Sequence, residues 1–342
     1  MDERVLRQTV TDLVAPSKGI LAADESSRTI KRRFDSIGAE STEENRRAYR
    51  SLLLTTPGIG DYICGVILFE ETLGQSDSNG TSLPQVAEAA GVVPGIKVDK
   101  GTVPLPGAPG DLVTEGLDGL AERLEGYKQQ GARFAKWREV YNVSETLPSQ
   151  LAVSANAEVL ARYARICQEA EVVPIVEPEV LMDGGHSIGR CKEVTENVLH
   201  AVFEALDRHR VMLEGIVLKP NMVLPGGDSG QKSTPEEVAD ATLTVFRRAV
   251  PAAVRTINFL SGGQSAVEST ANLNAINTAK GEKPWALSFS YGRGLQAPAL
   301  AAWGGQVENE KAAQAAFFER ARLNGLARDG QYEGETTPTT AD

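Results

Sequence analysis

Apolar and polar positions along the chain repeat one arrangement eight times, a short β-favouring apolar run that is followed by a helical pattern. In the run 215–222, GIVLKPNM, one lysine ends the apolar residues and is followed by a proline, which cannot donate to a sheet ladder. Side chains alternate along a strand, so Lys219 shares a face with Val217. Ile216 and Leu218 share the other face. Since both faces are otherwise apolar, we predict that Lys219 ends a buried parallel strand on its inner side.

The alternation of strands and helices continues along the chain with no linker between units. The predicted strands are 19–26, 63–69, 95–100, 131–138, 172–179, 215–222, 256–263 and 285–293. Eight such units predict a single (β/α)8 TIM barrel, an α/β fold, over residues 1–330. An open doubly wound sheet is the alternative, and it is weakened because no Gly-x-Gly-x-x-Gly element follows the first strand.

Helical patterns and polar segments complete the predicted architecture. The predicted helices are 2–15, 41–54, 83–90, 117–130, 156–170, 191–209, 234–249 and 308–326. Thr234 is the strongest helix start, because proline follows at the first helical position and glutamate at the third. Residues 101–110 are rich in Gly and Pro and are predicted to form a loop. The polar segment 331–342 is predicted to be a mobile tail.

Composition restricts the classes of function. The formal charge of −11 argues against nucleic-acid binding and against adhesion to anionic membranes. No apolar run approaches a membrane span, and the first residues lack signal-peptide architecture, so we expect a cytoplasmic protein. The three cysteines are far apart and read as reduced, buried thiols. Because the three histidines share no metal-ligand spacing, a histidine-based metal site is not expected.

Charged side chains cluster at the carboxyl ends of the predicted strands, where barrel enzymes carry their active sites. These residues are Asp24, Lys97, Asp99, Lys136, Glu177, Glu179 and Lys219. A single lysine of this kind is more often one that reaches out to solvent as its strand surfaces. Because barrel closure would bring all these ends around one mouth, their repeated position favours a functional site.

Grouped lysines and carboxylates indicate Schiff-base chemistry. A lysine amine attacks a carbonyl only when unprotonated, and its free pKa is about 10.4. A neighbouring cation and partial desolvation lower that pKa, and Lys136 is a candidate neighbour for Lys219. Loss of water from the carbinolamine needs a proton shuttle such as Glu177, and Asp24 is available as a base toward a substrate hydroxyl. Spacing alone leaves open which lysine is the nucleophile.

Glycine-rich turns after the last two strands indicate a phosphate site. Ser261 and Gly262 lie at the carboxyl end of the seventh predicted strand, and Arg293 ends the eighth. Loops at these positions of a barrel often bind phosphate through backbone N–H groups and a helix N-terminus. Arg293 would add a bidentate contact. A net-acidic protein with local cations at this mouth fits a small anionic substrate.

At these residues the sequence closely resembles the class I, Schiff-base-forming fructose-1,6-bisphosphate aldolases. The matching segments are GILAADES (19–26), TEENRR (42–47), GIKVDKG (95–101), FAKWR (134–138), PIVEPE (174–179), LKPNM (218–222), FLSGGQS (259–265), LNAIN (273–277) and PWALSFSYGR (284–293). They occur in the family's order and cover the chain to about Tyr332. The resemblance implies a TIM barrel, a homotetramer and reversible cleavage of fructose 1,6-bisphosphate into dihydroxyacetone phosphate and glyceraldehyde 3-phosphate. This activity belongs to glycolysis and gluconeogenesis.

The resemblance also implies the roles of the site residues. Lys219 would form the Schiff base with the C2 ketone, so that no metal or other cofactor is needed. Glu177 would move protons around the carbinolamine with support from Glu179. Lys136 would assist electrostatically, and Asp24 would take the C4-hydroxyl proton. The residues implied at the C1 phosphate are Ser261, Gly262 and Arg293; those toward the other phosphate are Ser26, Arg33 and Lys97; Arg138 is a further substrate-binding residue.

Two positions depart from the family pattern, and two alternative functions remain. Familiar vertebrate members carry a glycine in place of Arg28. Vertebrate and plant members end in a tyrosine that helps proton transfer, whereas this chain ends in 339–342 (TTAD), and Tyr332 matches a different tail position. One alternative is a Schiff-base aldolase for another sugar phosphate such as sedoheptulose 1,7-bisphosphate. The other is a non-catalytic binding scaffold, against which the presence of Lys219, Glu177 and Asp24 speaks.

Overall fold

The chain is organised around a closed barrel of eight parallel strands in a computed structural model that describes residues 1–335. The strands of the described part are β1 Gly19–Ala23, β2 Ile63–Leu68, β3 Val93–Lys97, β4 Thr102–Pro104, β5 Leu112–Thr114, β6 Phe134–Tyr141, β7 Val173–Val180, β8 Val217–Leu218, β9 Thr256–Phe259 and β10 Ala286–Tyr291. The order around the barrel is β1-β10-β9-β8-β7-β6-β3-β2, and β4 and β5 form a separate antiparallel hairpin. The predicted TIM barrel is therefore confirmed, and the open doubly wound sheet is wrong.

Helices connect the strands and surround the barrel. Those of the described residues are α1 Glu3–Asp12, α2 Ser27–Asp35, α3 Glu43–Leu54, α4 Glu70–Leu73, α5 Leu83–Ala89, α6 Leu120–Gln129, α7 Gln150–Glu169, α8 Ile188–Arg208, α9 Pro235–Ala249, α10 Ala266–Thr278, α11 Arg293–Trp303 and α12 Glu310–Arg328, with short 3-10 helices at Ile59–Asp61, Leu213–Gly215 and Val307–Asn309. No helix of this part of the chain is long and apolar enough to cross a bilayer.

Two apolar layers hold the barrel together, as the alternation of side chains requires. Inward-facing residues of the strands, including Ile20, Phe134 and Val217, form one cluster. Residues of α1 such as Leu6 and Val10 belong to the same cluster, so that this helix closes the amino-terminal end of the barrel. Outward-facing strand residues pack against the surrounding helices in a second cluster. The carboxyl ends of the strands are left as the open end.

Close packing inside the barrel fixes residue size at some positions. A Cβ atom added at Gly95 of β3 would lie 2.3 Å from the ring of Phe134 on the adjacent strand. No real Cβ approaches a neighbour so closely, so the position admits only glycine unless the ring moves. The three cysteines, Cys64, Cys167 and Cys191, are buried and unpaired, as predicted.

The structure corrects several predicted element boundaries. Strand β6 runs to Tyr141, beyond the predicted end at residue 138, because its inward-facing charged residues line a cavity instead of ending the ladder. Only Val217–Leu218 of 215–222 is regular strand, although the backbone N–H of Lys219 continues the ladder to the carbonyl of Val176 at 2.8 Å. The hairpin β4–β5 begins within 101–110, which was predicted as loop, and α2, α4, α10 and α11 were not predicted.

The predicted tail begins with residues that contact the barrel. The backbone N–H of Tyr332 donates to Oδ1 of Asn274 at 3.1 Å, and Glu335 pairs with the buried Arg320. The domain boundary at residue 330 and the mobility of the tail stay predictions. Residues 336–342, which include the terminal segment 339–342, lie outside the described residues.

A buried carboxyl group anchors the hairpin β4–β5 to the barrel. Glu139 on β6 is fully buried and accepts hydrogen bonds from Nε1 of Trp137 at 2.9 Å and from the backbone N–H of Thr114 at 3.1 Å. Burial outweighs these donors and raises the pKa of Glu139 to about 8 from its ordinary value of 4.5. The carboxyl group therefore carries its proton at neutral pH.

This protonation predicts a pH-dependent stability that depends on Glu139. The native state binds the proton more tightly than the unfolded chain, so stability falls as pH rises from about 4.5 to about 8 and is level above. In urea unfolding, the free energy of unfolding of Glu139→Gln should increase relative to that of the wild type as pH rises through this range. The increase should be at most about 1.4 kcal/mol per pH unit. The exposed Glu145→Gln serves as the control. If both variants follow the wild-type pH profile, the buried carboxyl group is not responsible.

Candidate active site

The open end of the barrel contains a cavity of about 1050 Å³ lined by residues from the carboxyl ends of the strands and the segments that follow. All twelve residues predicted to act in catalysis or substrate binding line this one cavity: Asp24, Ser26, Arg33, Lys97, Lys136, Arg138, Glu177, Glu179, Lys219, Ser261, Gly262 and Arg293. The structure thus brings together the predicted site, while the role of each residue stays a prediction.

Four charged side chains form a connected network at the floor of the cavity. Nζ of Lys219 lies 3.0 Å from Oε1 of Glu177, and Nζ of Lys136 lies 3.1 Å from Oε2 of the same carboxylate. Lys136 also donates to Oδ2 of Asp24 at 2.8 Å. Lys219 and Lys136 are each 4% exposed, and Glu177 is 3% exposed. At this burial the charges are poorly screened by water, so each pair affects the protonation of the next.

Strand geometry explains why these side chains meet. Lys136 is two residues beyond the inward-facing Phe134, and Glu177 is two beyond the inward-facing Ile175, so both point into the barrel. Lys219 follows Val217 in the same way, which confirms its predicted inner position. Asp24 comes directly after β1.

The network holds both carboxylates in their charged form. Burial alone would raise the pKa of Asp24, but Lys136 and then Lys219 and Lys97 outweigh it and hold the pKa well below the usual range. Glu177 follows the same pattern, with burial opposed mainly by Lys136 and Lys219, and its pKa is lowered. Burial would lower the pKa of Lys136, but Asp24 and Glu177 raise it well above the ordinary value.

Two further ion pairs line the wall of the cavity. Arg138 pairs through Nε with Glu179, which is two residues beyond Glu177 on β7 and faces the same side. Lys97 pairs with the carboxylate of Asp99 and donates to its backbone carbonyl at 2.8 Å. The predicted parity of each pair, Lys97 with Asp99 and Glu177 with Glu179, therefore agrees with the positions of these side chains.

The segments after β9 and β10 form a close backbone corner at one end of the cavity. A Cβ atom at Gly262 would lie 2.8 Å from Oε1 of Glu179, so only glycine fits without a shift of that carboxylate. A Cβ atom at Gly294 would lie 3.3 Å from Oγ of Ser261, which places the first turn of α11 against this segment. Free N–H groups of a first helical turn and the guanidinium of Arg293 suit a phosphate group.

Sequence reasoning missed two residues of this region. Glu25 is a largely buried residue of the cavity lining, where it pairs with Arg33 and accepts a hydrogen bond from Nε2 of Gln296 at 2.8 Å. Ser290 of β10 lines the cavity, is 1% exposed, and its hydroxyl has no hydrogen-bond partner among the described residues. The sequence signal that could have found Ser290 was the alternation of side chains along β10, which places this small polar residue on the inward-facing side, toward the site.

The charges of the cavity do not balance. Nine cationic side chains line it, namely Arg28, Arg32, Arg33, Lys97, Lys100, Lys136, Arg138, Lys219 and Arg293. Six acidic side chains line it, namely Asp24, Glu25, Glu70, Asp99, Glu177 and Glu179. The local surplus of three positive charges contrasts with the net charge of −11 of the whole chain and favours an anionic ligand. Within residues 1–335 no group of three or more His, Cys, Asp or Glu is arranged to hold a metal ion.

The fold and this cavity define a (β/α)8-barrel enzyme with one cation-rich site at the carboxyl ends of its strands. Comparison with known proteins makes the class specific. The chain matches the family described as fructose-bisphosphate aldolase class-I over residues 5–342. The chain belongs to this family of lyases.

Individual relatives agree with this assignment along most of the chain. "Fructose-bisphosphate aldolase 4, cytosolic" of Arabidopsis thaliana is 58% identical over 320 residues, which is 94% of this chain and 81% of the relative. Human "Fructose-bisphosphate aldolase C" is 56% identical over 323 residues, 94% of this chain and 89% of the relative. A solved fructose-bisphosphate aldolase from Plasmodium falciparum, in complex with TRAP and a small-molecule inhibitor, superposes with a TM-score of 0.95 at 50% identity. The superposed region covers 97% of this chain and 96% of the Plasmodium falciparum chain.

Proposed function

We propose that this enzyme cleaves fructose 1,6-bisphosphate reversibly into dihydroxyacetone phosphate and glyceraldehyde 3-phosphate through a Schiff base on Lys219. The observation that carries the proposal is the contact of the buried Lys219 ammonium with Glu177, which a second lysine, Lys136, also contacts. This arrangement provides an amine for a ketone, a carboxylate within reach for proton transfer, and a fixed positive charge beside both.

In the first stage the deprotonated Nζ of Lys219 attacks the C2 ketone and gives a carbinolamine. This conversion removes one positive charge from a position 3.0 Å from Glu177. Loss of a stabilising cation raises the pKa of a carboxyl group, so Glu177 becomes a better proton carrier when the carbinolamine hydroxyl must leave as water. Formation of the positively charged iminium then returns the charge to this position.

In the second stage the iminium receives the electrons of the breaking C3–C4 bond. Asp24 takes the proton of the C4 hydroxyl, the C4–O bond becomes the aldehyde carbonyl, and the C3–C4 electron pair forms an enamine on the Lys219 nitrogen. Lys136 contacts both Asp24 and Glu177 and stabilises the negative charge of each carboxylate as it takes up or releases a proton. Protonation at C3 and hydrolysis of the iminium release dihydroxyacetone phosphate and restore Lys219.

The two phosphates would be bound at different parts of the cavity. Ser261, Gly262 and Arg293 form the corner that suits the C1 phosphate, close to the strand ends that carry the network. Ser26 and Arg33, which follow β1, and Lys97, which ends β3, would bind the other phosphate, with Arg33 also near the corner because its Nη2 is 3.6 Å from the position of a Cβ at Gly292. Arg138 of β6, which pairs with Glu179, lines the same cavity and would be a further substrate-binding residue. Each set supplies cations or N–H and O–H donors, which are the groups that bind phosphate oxygens.

The cellular role follows from the proposed reaction. We propose that the enzyme acts in glycolysis and gluconeogenesis, in the cytoplasm and as a homotetramer, with a phosphorylated sugar as its small-molecule partner. The cytosolic designation of the Arabidopsis relative supports the compartment. The acidic net charge argues against nucleic-acid and membrane partners.

Trapping of the Schiff base tests this proposal. Incubation of the wild type with dihydroxyacetone phosphate and borohydride should reduce the imine and leave one covalent adduct, which peptide mass spectrometry should place on Lys219. Cleavage of fructose 1,6-bisphosphate should be insensitive to EDTA. A chain that cleaves the substrate without any trapped lysine, or that loses activity with EDTA, would contradict the mechanism.

A further inference from the structure

We propose that Arg28 determines specificity by binding the phosphate that lies farther from the imine, so that it favours bisphosphate over monophosphate substrates. This inference rests on the proposed aldolase reaction. It concerns a residue outside the twelve predicted site residues, at the position where familiar vertebrate members of the family carry glycine.

The first step is the pairing of charges around the cavity. Six of its nine cations lie within ion-pair distance of a carboxylate: Arg33, Lys97, Lys100, Lys136, Arg138 and Lys219. Arg28, Arg32 and Arg293 have no carboxylate within 4.0 Å among residues 1–335. A cation already paired inside the protein exchanges one partner for another when an anion binds, whereas an unpaired cation gains a new partner. The unpaired arginines are therefore the cations most available to substrate phosphates.

The second step separates these arginines into two places. Arg293 begins α11 after β10 and lies at the corner with Gly262. Arg28 and Arg32 are four residues apart on α2, and residues at this spacing lie on the same side of a helix. Arg33 lies about 140° around the helix from Arg28. Its Nη2 is only 3.6 Å from the position of a Cβ at Gly292, so Arg33 faces the corner and Arg28 faces away from it.

The third step concerns the start of α2. Ser26 caps this helix by accepting from the backbone N–H of Thr29, and Ser26, Arg28 and Thr29 all line the cavity. The first turn of the nine-residue helix thus presents a hydroxyl-bearing side chain, the positive end of the helix dipole and an unpaired guanidinium to the same side of the cavity. A planar guanidinium matches two oxygens of a phosphate. A substrate with a hydroxyl in place of that phosphate gains nothing from Arg28.

Steady-state kinetics on two substrates tests the inference. For Arg28→Ala, kcat/KM for fructose 1,6-bisphosphate should fall about tenfold, the equivalent of one charge-assisted hydrogen bond, with the loss in KM and kcat changed less than about twofold. For fructose 1-phosphate, kcat/KM should change less than about twofold. Arg28→Lys should recover part of the loss. Lys31→Ala is the matched control, because Lys31 is an exposed cation of the same helix that pairs with Asp35 and does not line the cavity.

Trapping separates this inference from the proposed function. Dihydroxyacetone phosphate carries one phosphate, and Arg28→Ala should form the borohydride-reduced adduct at the wild-type rate. If the wild type forms no adduct, the proposed function fails. If the adduct forms but Arg28→Ala lowers kcat/KM equally for both substrates, or for neither, Arg28 does not distinguish them and the inference is wrong. An equal loss in Lys31→Ala would assign the effect to overall charge and would also overturn it.

Discussion

Lys219→Met is expected to lower kcat/KM for fructose 1,6-bisphosphate by at least about 10⁴-fold and to abolish the borohydride-trapped adduct. Methionine approximates the length and volume of the lysine but has no amine, so neither the imine nor the enamine derived from it can form. Removal of the ammonium also takes away one of the two lysine contacts of Glu177 and leaves the contact with Lys136 at 3.1 Å. The carboxylate therefore keeps a partner, and the variant should fold.

The measurement needs a proof that the variant still binds. A hexitol 1,6-bisphosphate has both phosphates but no ketone, and calorimetry should find its Kd changed by less than about tenfold in Lys219→Met. Lys31→Met, at an exposed position outside the cavity, should keep wild-type cleavage and trapping. Substantial cleavage by Lys219→Met, or an adduct on Lys136 in its place, would mean that the nucleophile is assigned to the wrong lysine.

The alternation of side chains was sufficient to predict the barrel and the inner position of Lys219. Strand residues two apart share a face whatever the surrounding structure, and Val217 indeed belongs to the interior cluster. The apolar runs were therefore reliable, because both faces of a barrel strand are covered. Strand β6 was predicted to end at residue 138, but it continues through Glu139 to Tyr141. Charged residues such as Arg138 and Glu139 hide the continuation of the strand. One lines the cavity and the other is buried against Trp137.

The three longer helices that were not predicted, α2, α10 and α11, have sequences that hide their periodicity. In α2 only Ile30 and Phe34 are buried, among basic and hydroxyl residues that face the cavity or solvent. Helix α10 consists largely of small and polar residues, several of which are buried with hydrogen-bond partners. Helix α11 begins at glycines and contains Pro298, a residue that normally breaks helices. Tertiary contacts stabilise these three helices, and the local sequence pattern contains no information on such contacts.

The sequence was enough to predict which residues form the site, but not which of them contact one another. Position at strand ends was enough to collect the charged residues, but it contains no information on which carboxylate contacts which lysine. Glu177 contacts both Lys136 and Lys219, and only the structure shows that Lys136 also pairs with Asp24. Before the structure, the family resemblance was what selected Lys219. Glu25 forms an ion pair with Arg33, eight residues farther along the chain, because the two segments fold back on each other. Only three-dimensional packing places them together.

Glu177→Gln is expected to lower kcat for fructose 1,6-bisphosphate by about 10²- to 10³-fold while KM changes much less. The amide has nearly the shape of the carboxylate and keeps an oxygen that can contact Lys219, but it neither takes up nor releases a proton at neutral pH. Attack on the ketone can occur, whereas loss of water from the carbinolamine loses its proton carrier. Because borohydride reduces the imine and not the carbinolamine, rapid-quench trapping should show slow accumulation of adduct to a near-normal final yield.

Glu179→Gln distinguishes this role from a general effect of charge in the cavity. Glu179 lies two residues farther along β7 on the same side, but it pairs with Arg138 and has no ion pair with Lys219 within the described residues. Its substitution removes the same charge and should slow adduct formation much less. A larger defect in Glu179→Gln than in Glu177→Gln would exchange the two roles. Equal defects would mean that the cavity needs negative charge near Lys219, with no specific proton carrier, since position along β7 would then make no difference.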